Sequence, residues 1–564
     1  MTSVWVTHQN KEIALQALQE YINHVEVWSK KHQLTLNPSK CEITFFSSWS
    51  GDANWTPCAT IGGQAMPFSA SPRFLGVFLD RSLSFKKQVV EAVKRTKSRA
   101  SALSALAAKD WGWCKETMRR VYFATHRSVL DFAAPGWQPW LSESQFQELE
   151  RAQNNALRKI TGQTASTPVD ALRAEAGVTA YRTHSDRKIA ASYEKALRLP
   201  PEHPRRMALD KAQPKRLKRH NWKSRGAETT AKIAALHTQR EPLMKPGEGL
   251  PPWQHSRCLW TVTSSLEGAN RTTPEEAKEA VRRTIDNWPH DLTIYTDGSA
   301  REGTRCGGSA AIITSGLSTS PSVIETIRTR GRTLTSSYEE EKQAMLAAVM
   351  WIDKNEQGKK IAICTDSQSL TVALECGTDD TALIRQMLDT SRNEIRIQWI
   401  PGHCNIEGNE IADKEANQAR EIDEPPLPTT YRAAVSEINR QIQPQPMTHH
   451  RAARTYQGHS RKRDESELKS RKEAVLMAQL RAGHCHLLAA YKNLLDPTKD
   501  PMCPACQEDC QTVEHWLLEC PGTLSSRHNI FGTTNLDLEV LSERPGDVVE
   551  LARRTLGFCS ARRL

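Results

Sequence analysis

Four acidic residues stand where acids are costly unless they have work to do. In LTIYTDGSA, residues 292–300, an apolar run leads directly into Asp297. Asp-Gly alone is an ordinary turn dipeptide, so this stretch decides little by itself. In TSSYEEEKQAMLAAVMWI, Glu341 precedes Met345, Ala348 and Ile352 by four, seven and eleven positions and so shares their inward helical face. Glu339 and Glu340 fall off that stripe and read as solvated acids at a helix N-terminus. The apolar run IAICTD ends on Asp366. IQWIPGHCNIEGNEIADKEAN runs from a strand through a Gly-rich loop carrying His403 into a helix whose second turn holds Asp413.

Four carboxylates converging in a low dielectric repel one another, and proton uptake or divalent cations relieve them. Oxygen-only ligation selects Mg²⁺ or Mn²⁺. Two such ions about 4 Å apart can activate a water and stabilise the leaving oxygen of a phosphodiester. The chemistry indicated is metal-assisted phosphodiester hydrolysis with Asp297, Glu341, Asp366 and Asp413 as ligands.

The elements needed to bring these groups together are legible. Strands are predicted at 292–296, 308–314, 323–333, 361–365 and 395–400, with a helix over 338–353 and others near Gln368, Ala382 and Asn409. Three hairpin-linked strands followed by alternating helices and strands make a mixed five-stranded sheet with helices on its faces. The flanking regions are mainly α-helical. Apolar spacing predicts helices over 13–28, 85–107, 115–129 and 143–160, while LTLNPSKCEITFF at 34–46 reads as two short strands around an Asn-Pro turn.

Chain length implies several domains. With 76 Lys+Arg against 65 Asp+Glu, the net charge is +11 and the pI about 9.0, which favours a polyanionic partner, nucleic acid first. Residues 200–288 are Pro-rich and charged and read as a basic connector. Its densest run includes Lys215, Arg216, Lys218 and Arg219 beside Trp222, either as a solvated linker or as a phosphate-contacting arm. There is no signal-peptide pattern and no stretch near the roughly 18 apolar residues of a membrane helix. The expectation is a non-secreted intracellular protein of nucleus or cytoplasm, without membrane contact, whose 14 cysteines are reduced thiols. Within CPACQEDCQTVEHWLLEC, a Cys503–Cys506 CxxC turn followed by His515 and Cys520 suits tetrahedral Zn²⁺, with Cys510 as a substitute ligand.

TDGS, the Glu-bearing helix after Ser-Ser-Tyr, TDSQS, and W-I-PGH-x-x-I-x-GN-E-x-AD together resemble the type 1 ribonuclease H domain of retroelements, over about 130 residues. The resemblance implies a metal-binding quartet of Asp297, Glu341, Asp366 and Asp413, a mobile-loop histidine at His403, and Asn409 as the loop's GN. With Ser299 and Ser337 it implies contacts to an RNA–DNA hybrid. Ser336, Ser337 and Tyr338 replace the Asn-containing stretch of cellular enzymes. The 381–394 segment lacks the basic insertion of bacterial ones, which shifts the expected grip to Lys215, Arg216, Lys218 and Arg219. LNPSKCEITFF, RFLGVFLDRSLSF and ELERAQNNALRKITG resemble the post-palm region, thumb and connection of non-LTR retrotransposon reverse transcriptases. No aromatic-x-Asp-Asp turn precedes them, so the polymerase palm is expected to be missing. The Cys/His cluster resembles the C-terminal motif of the same elements.

The expected organisation is a post-palm remnant at 1–50, a thumb/connection-like helical region at 51–199, the connector at 200–288 and a ribonuclease H domain at 289–425. A linker at 426–464 and a helical zinc-type unit at 465–564 complete it. The expected function is Mg²⁺-dependent hydrolysis of the RNA strand of a hybrid, with other retrotransposon proteins as further partners. The rival is a catalytically dead nucleic-acid-binding remnant.

Overall fold

A computed structural model of the chain describes residues 3–210, 221–243, 259–265, 273–315, 322–443 and 466–559. The chain forms two compact units, one from residues before 190 and after 442, the other from nearly all residues between. Among the described residues no helix is long and apolar enough to cross a membrane.

The second unit is built on a six-stranded sheet. Its elements in chain order are β1 (Trp260–Thr263), α1 (Pro274–Asp286), β2 (Leu292–Arg301), β3 (Arg305–Ser315), β4 (Ser322–Arg330), α2 (Ser337–Asn355), β5 (Lys360–Thr365), α3 (Gln368–Cys376), α4 (Ala382–Thr390), β6 (Glu394–Trp399), α5 (Glu407–Ala419) and α6 (Tyr431–Gln441). The strand order is β1-β6-β5-β2-β3-β4. The first four run parallel, and β3 and β4 are added as antiparallel hairpins. Side chains alternate across the sheet as strand geometry requires. Ile294, Ile313 and Ile363 face one core with Met345, Ala348, Leu370 and Ile384 from α2, α3 and α4. Their neighbours Tyr295, Ile312 and Cys364 face another with Val281 of α1 and Ala412 of α5.

Several expectations change. The sheet gains a sixth strand because residues 260–263, assigned to the connector, pair in parallel with β6. The connector also carries helices Pro204–Asp210 and Trp222–Ala231, and the expected linker carries α6, whose Ala434 and Ile438 are fully buried. Lys215, Arg216, Lys218 and Arg219 lie outside the described residues. β2 does not stop at Asp297 but runs on to Arg301, because its antiparallel pairing with β3 outlasts its parallel pairing with β5. Asn37 caps a short 3₁₀ turn at Pro38–Lys40, and the flanking residues form one bridge, Ile43 to Phe68, in place of the expected pair of strands.

In the first unit, helices Lys86–Ser104 and Glu143–Thr161 match the predicted amphipathic runs closely, while the run predicted over 115–129 is α-helical over Lys115–Tyr122, passes through a π-turn at Phe123–Arg127 and resumes as Ser128–Asp131. Helix Glu143–Thr161 begins in a full capping box at Ser142 and Gln145 and ends at Gly162 with φ of 69°. Helix Arg471–Arg481 is almost wholly buried in the same unit. Its Gln479 amide donates to the Gly162 carbonyl at 3.1 Å, and the Gln163 amide donates to that of Ala478 at 2.8 Å. The amino- and carboxyl-terminal portions of the chain therefore share one unit.

Candidate active site and metal centre

The parallel ladder between β2 and β5 ends at Thr296 opposite Thr365; Asp297 is the next residue of β2 and Asp366 the first residue beyond β5. Register alone thus brings two carboxylates to the same edge of the sheet. The third comes from α2, whose first turn lies directly on β2. A Cβ at Gly298 would fall 2.1 Å from the Glu341 nitrogen and 2.2 Å from the Glu340 carbonyl carbon, so the Asp-Gly pair is a close-approach device rather than a turn. Ser336 caps this helix by accepting from the Glu339 N–H.

Asp297, Glu341 and Asp366 each offer an oxygen within 4.8 Å of the others. Asp297 and Glu341 are buried at 6% and 8% exposure. Burial, followed by the charge of Asp366, pushes the Asp297 carboxyl up to about 7. Glu341 is held well above the usual carboxylate range by burial and then by the charges of Asp297 and Asp366. Asp366 is also raised, chiefly by burial, against the pull of the Asn409 amide and the charge of His403. Glu341 Oε2 is buried without a hydrogen-bond partner. An all-oxygen donor set, one orphaned oxygen and a surplus of protons fit hard divalent cations.

Asp413, half-buried on α5, stands outside this trio but is close enough that its charge raises both Asp297 and Asp366. Its Oδ1 accepts from Asn417 Nδ2 at 3.0 Å. His403 is exposed, in a loop where it and Asn405 both adopt φ of 55°. Gly402 before it is needed because a Cβ there would come 2.8 Å from Asp366 Oδ2. Of the expected substrate contacts, Ser337 is exposed at the start of α2. Asn409 is buried, with its amide 3.5 Å from Asp366, and the Ser299 hydroxyl donates to Asn417 at 2.7 Å.

Glu339 and Glu340 are not solvated, contrary to expectation: both are buried, at 1% and 0% exposure. Glu340 lies over Gly307 and Gly331, whose missing side chains make room for it. It accepts from the Thr335 hydroxyl at 2.5 Å and pairs with Arg332 at 3.6 Å. Glu339 pairs with Lys342 at 2.8 Å. The helical stripe failed here because the strand-end loop supplies a second, polar core on that side of α2.

A separate cluster in the first unit joins Cys503, Cys506, His515 and Cys520, with donor atoms within 4.8 Å of one another. Cys506 Sγ is 3.2 Å from His515 Nε2, and the Cys503 and Cys520 sulfurs are 3.7 Å apart. The Glu508 N–H lowers the Cys506 thiol to about 7, assisted by His515, while burial raises Cys520 to about 11. Soft S₃N donors in this arrangement form a possible metal site. Cys510 is not among them. Asp509, largely exposed, stands 4.0 Å from His515 Nδ1, beyond hydrogen-bond distance.

Residues 289–421 match the RNase H family model, and the chain carries an RNase H domain there. It is similar to proteins of non-LTR retrotransposons. It is 30% identical over 95 residues to the RNA-directed DNA polymerase from mobile element jockey of Drosophila funebris, covering 17% of this chain and 10% of that protein. It is 28% identical over 145 residues to ribonuclease H of Chromohalobacter salexigens, covering 23% of this chain and 83% of that enzyme. RNase H1 from the halophilic archaeon Halobacterium salinarum NRC-1 aligns at 21% identity and a TM-score of 0.20, covering 23% of this chain and 96% of that one. The chain thus spans about a tenth of the length of the mobile-element relatives it matches.

Proposed function

We propose that residues 289–421 hydrolyse the RNA strand of an RNA–DNA hybrid. The observation that carries this reading is the approach of Asp297, Glu341 and Asp366 to within 4.8 Å, where burial and mutual repulsion raise all three carboxyls, beside Asp413. Asp297, Glu341, Asp366 and Asp413 would hold two Mg²⁺, or Mn²⁺. When bound, the ions supply activation of water and charge neutralisation at the leaving oxygen. Asn409 holds the Asp366 carboxylate by its amide. His403, exposed on its loop and electrostatically coupled to Asp366, is placed to carry a proton to or from the scissile region. Ser337 faces solvent at the head of α2, where it can meet the substrate backbone. Cys503, Cys506, His515 and Cys520 would hold a structural Zn²⁺, with no coordination position implied for chemistry. The basic run at Lys215, Arg216, Lys218 and Arg219 would add phosphate contacts.

The test is cleavage of a hybrid labelled on its RNA strand by the full chain. Mg²⁺-dependent cutting that is abolished by EDTA, by Asp297→Asn and by Asp366→Asn is expected. Undiminished cleavage in EDTA, or full activity in both variants, overturns the two-metal reading.

A further inference from the structure

The Asp413 carboxylate is tied to a neighbouring side chain by a neutral hydrogen bond. Asn417, one helical turn further along α5, donates from Nδ2 both to Asp413 Oδ1 at 3.0 Å and to the Asp413 carbonyl at 2.9 Å. Two acceptors on one side leave the amide a single acceptable orientation, since a flipped Asn417 would set its own oxygen against both. Its Oδ1 must therefore face the other way, and there the Ser299 hydroxyl donates to it at 2.7 Å. Ser299 sits on β2 two residues beyond Asp297. The bridge Ser299–Asn417–Asp413 thus runs from the strand that bears the first acid to the carboxylate of the last.

The bridge has two physical consequences. The amide occupies Oδ1 with a neutral donor, which adds no competing charge, and leaves Oδ2 uncommitted to the bridge. It also fixes the side chain against the sheet rather than only against its own helix, so that α5 cannot rotate Asp413 away from the strand ends without breaking a hydrogen bond to β2. Gly308 permits the close seat this requires: a Cβ there would fall 2.4 Å from the Ala416 carbonyl oxygen, the residue before Asn417.

We infer that Asn417 is a positioning residue, oriented by Ser299, that holds Asp413 ready as a divalent-cation ligand. Ser299 is accordingly a member of this bridge. The inference rests on the metal-nuclease reading above, and the test separates the two. Binding of Mn²⁺ to the full chain is titrated calorimetrically, with Asp297→Asn as the control that reports the acidic site. Asn417→Ala and Ser299→Ala should each weaken Mn²⁺ binding by about tenfold, as loss of a ligand's supporting hydrogen bond typically does. Ser299→Thr, which keeps the hydroxyl, should restore affinity to near the wild-type value, a rescue that a merely packed serine would not show. If the wild-type chain shows no Mn²⁺ binding that Asp297→Asn removes, the metal-nuclease reading itself falls. If that binding is present but Asn417→Ala and Ser299→Ala retain it at wild-type affinity, or Ser299→Thr binds as weakly as Ser299→Ala, the positioning role falls alone.

Discussion

Arg481 and Glu175 meet at 3.1 Å with neither side chain exposed to solvent, although 306 positions separate them in the chain. Lys115 adds a second cation to Glu175 at 2.8 Å, and Arg481 also donates from Nε to the Leu541 carbonyl. A glutamate from the amino-terminal helices and an arginine from the Cys/His region therefore neutralise each other inside one unit. Removing one member of such a pair leaves a buried charge uncompensated, which typically costs about 3–5 kcal/mol. Glu175→Leu, which removes a buried carboxylate shared by two cations, should destabilise this unit more than Arg481→Leu, which leaves Glu175 its lysine. Urea unfolding followed by hydrogen exchange in helix Arg471–Arg481 measures the order of the two effects.

Gly298→Ala should be severely disruptive for a different reason. The new methyl would lie 2.1 Å from a backbone nitrogen of α2, which no side-chain rearrangement can relieve. The helix must lift from β2, carrying Glu341 away from Asp297. Loss of divalent-ion binding with secondary structure retained by circular dichroism is the expected result, and wild-type Mn²⁺ affinity would contradict the close seating.

The retained protons give stability a definite pH dependence. The Asp297 carboxyl has an ordinary value of 3.8 and is raised to about 7 in the folded chain. From about pH 4 to about pH 7 the folded state then binds more protons than the unfolded one, so each rise in pH costs stability, and the loss is complete above the folded value. In EDTA, Asp297→Asn should therefore gain Tm relative to wild type across this window, with little difference near pH 4 and the largest near pH 8. Mg²⁺ should raise the wild-type Tm more at the alkaline end. Parallel Tm profiles for the two proteins would show that Asp297 ionises normally.

Cys503→Ser together with Cys506→Ser should release about one zinc per chain, measured by elemental analysis, and loosen the first unit. Because all four donors lie in residues 503–520 of that unit and the acidic trio lies in the other, the Asp297-dependent Mn²⁺ binding of the full chain should be unchanged in this double variant. Wild-type chain purified without zinc would reduce the cluster to packed thiols.

Replacing Lys215, Arg216, Lys218 and Arg219 by Ala should raise the apparent Kd for hybrid and lower the magnitude of the log K against log salt slope by up to about three units. Turnover at saturating hybrid should change far less, because none of the four is a proposed metal ligand. An unchanged slope would mark the run as a solvated linker.

The order of strands and helices between 292 and 419 could be read directly, because period-2 and period-3.6 apolar patterns are local properties of the chain. The acids Asp297, Glu341, Asp366 and Asp413 could be read too, since each interrupts or ends such a pattern where burial would otherwise forbid it. The cluster of Cys503, Cys506, His515 and Cys520 was legible for a similar reason: its spacing is short enough to be a local property. What lay beyond reach was set by contacts between distant segments. Residues 260–263 look like connector until β6 offers them an edge. Glu340 looks like a surface acid until Gly307, Gly331 and Arg332 enclose it, and Gly298 looks like a turn until α2 is laid upon it. Asn417 stood at a readable i+4 spacing from Asp413, but Ser299 joins it only because β2 continues past Asp297. Pairing register and helix seating are collective outcomes of burying two faces of one sheet, and no window of sequence contains both partners of those contacts.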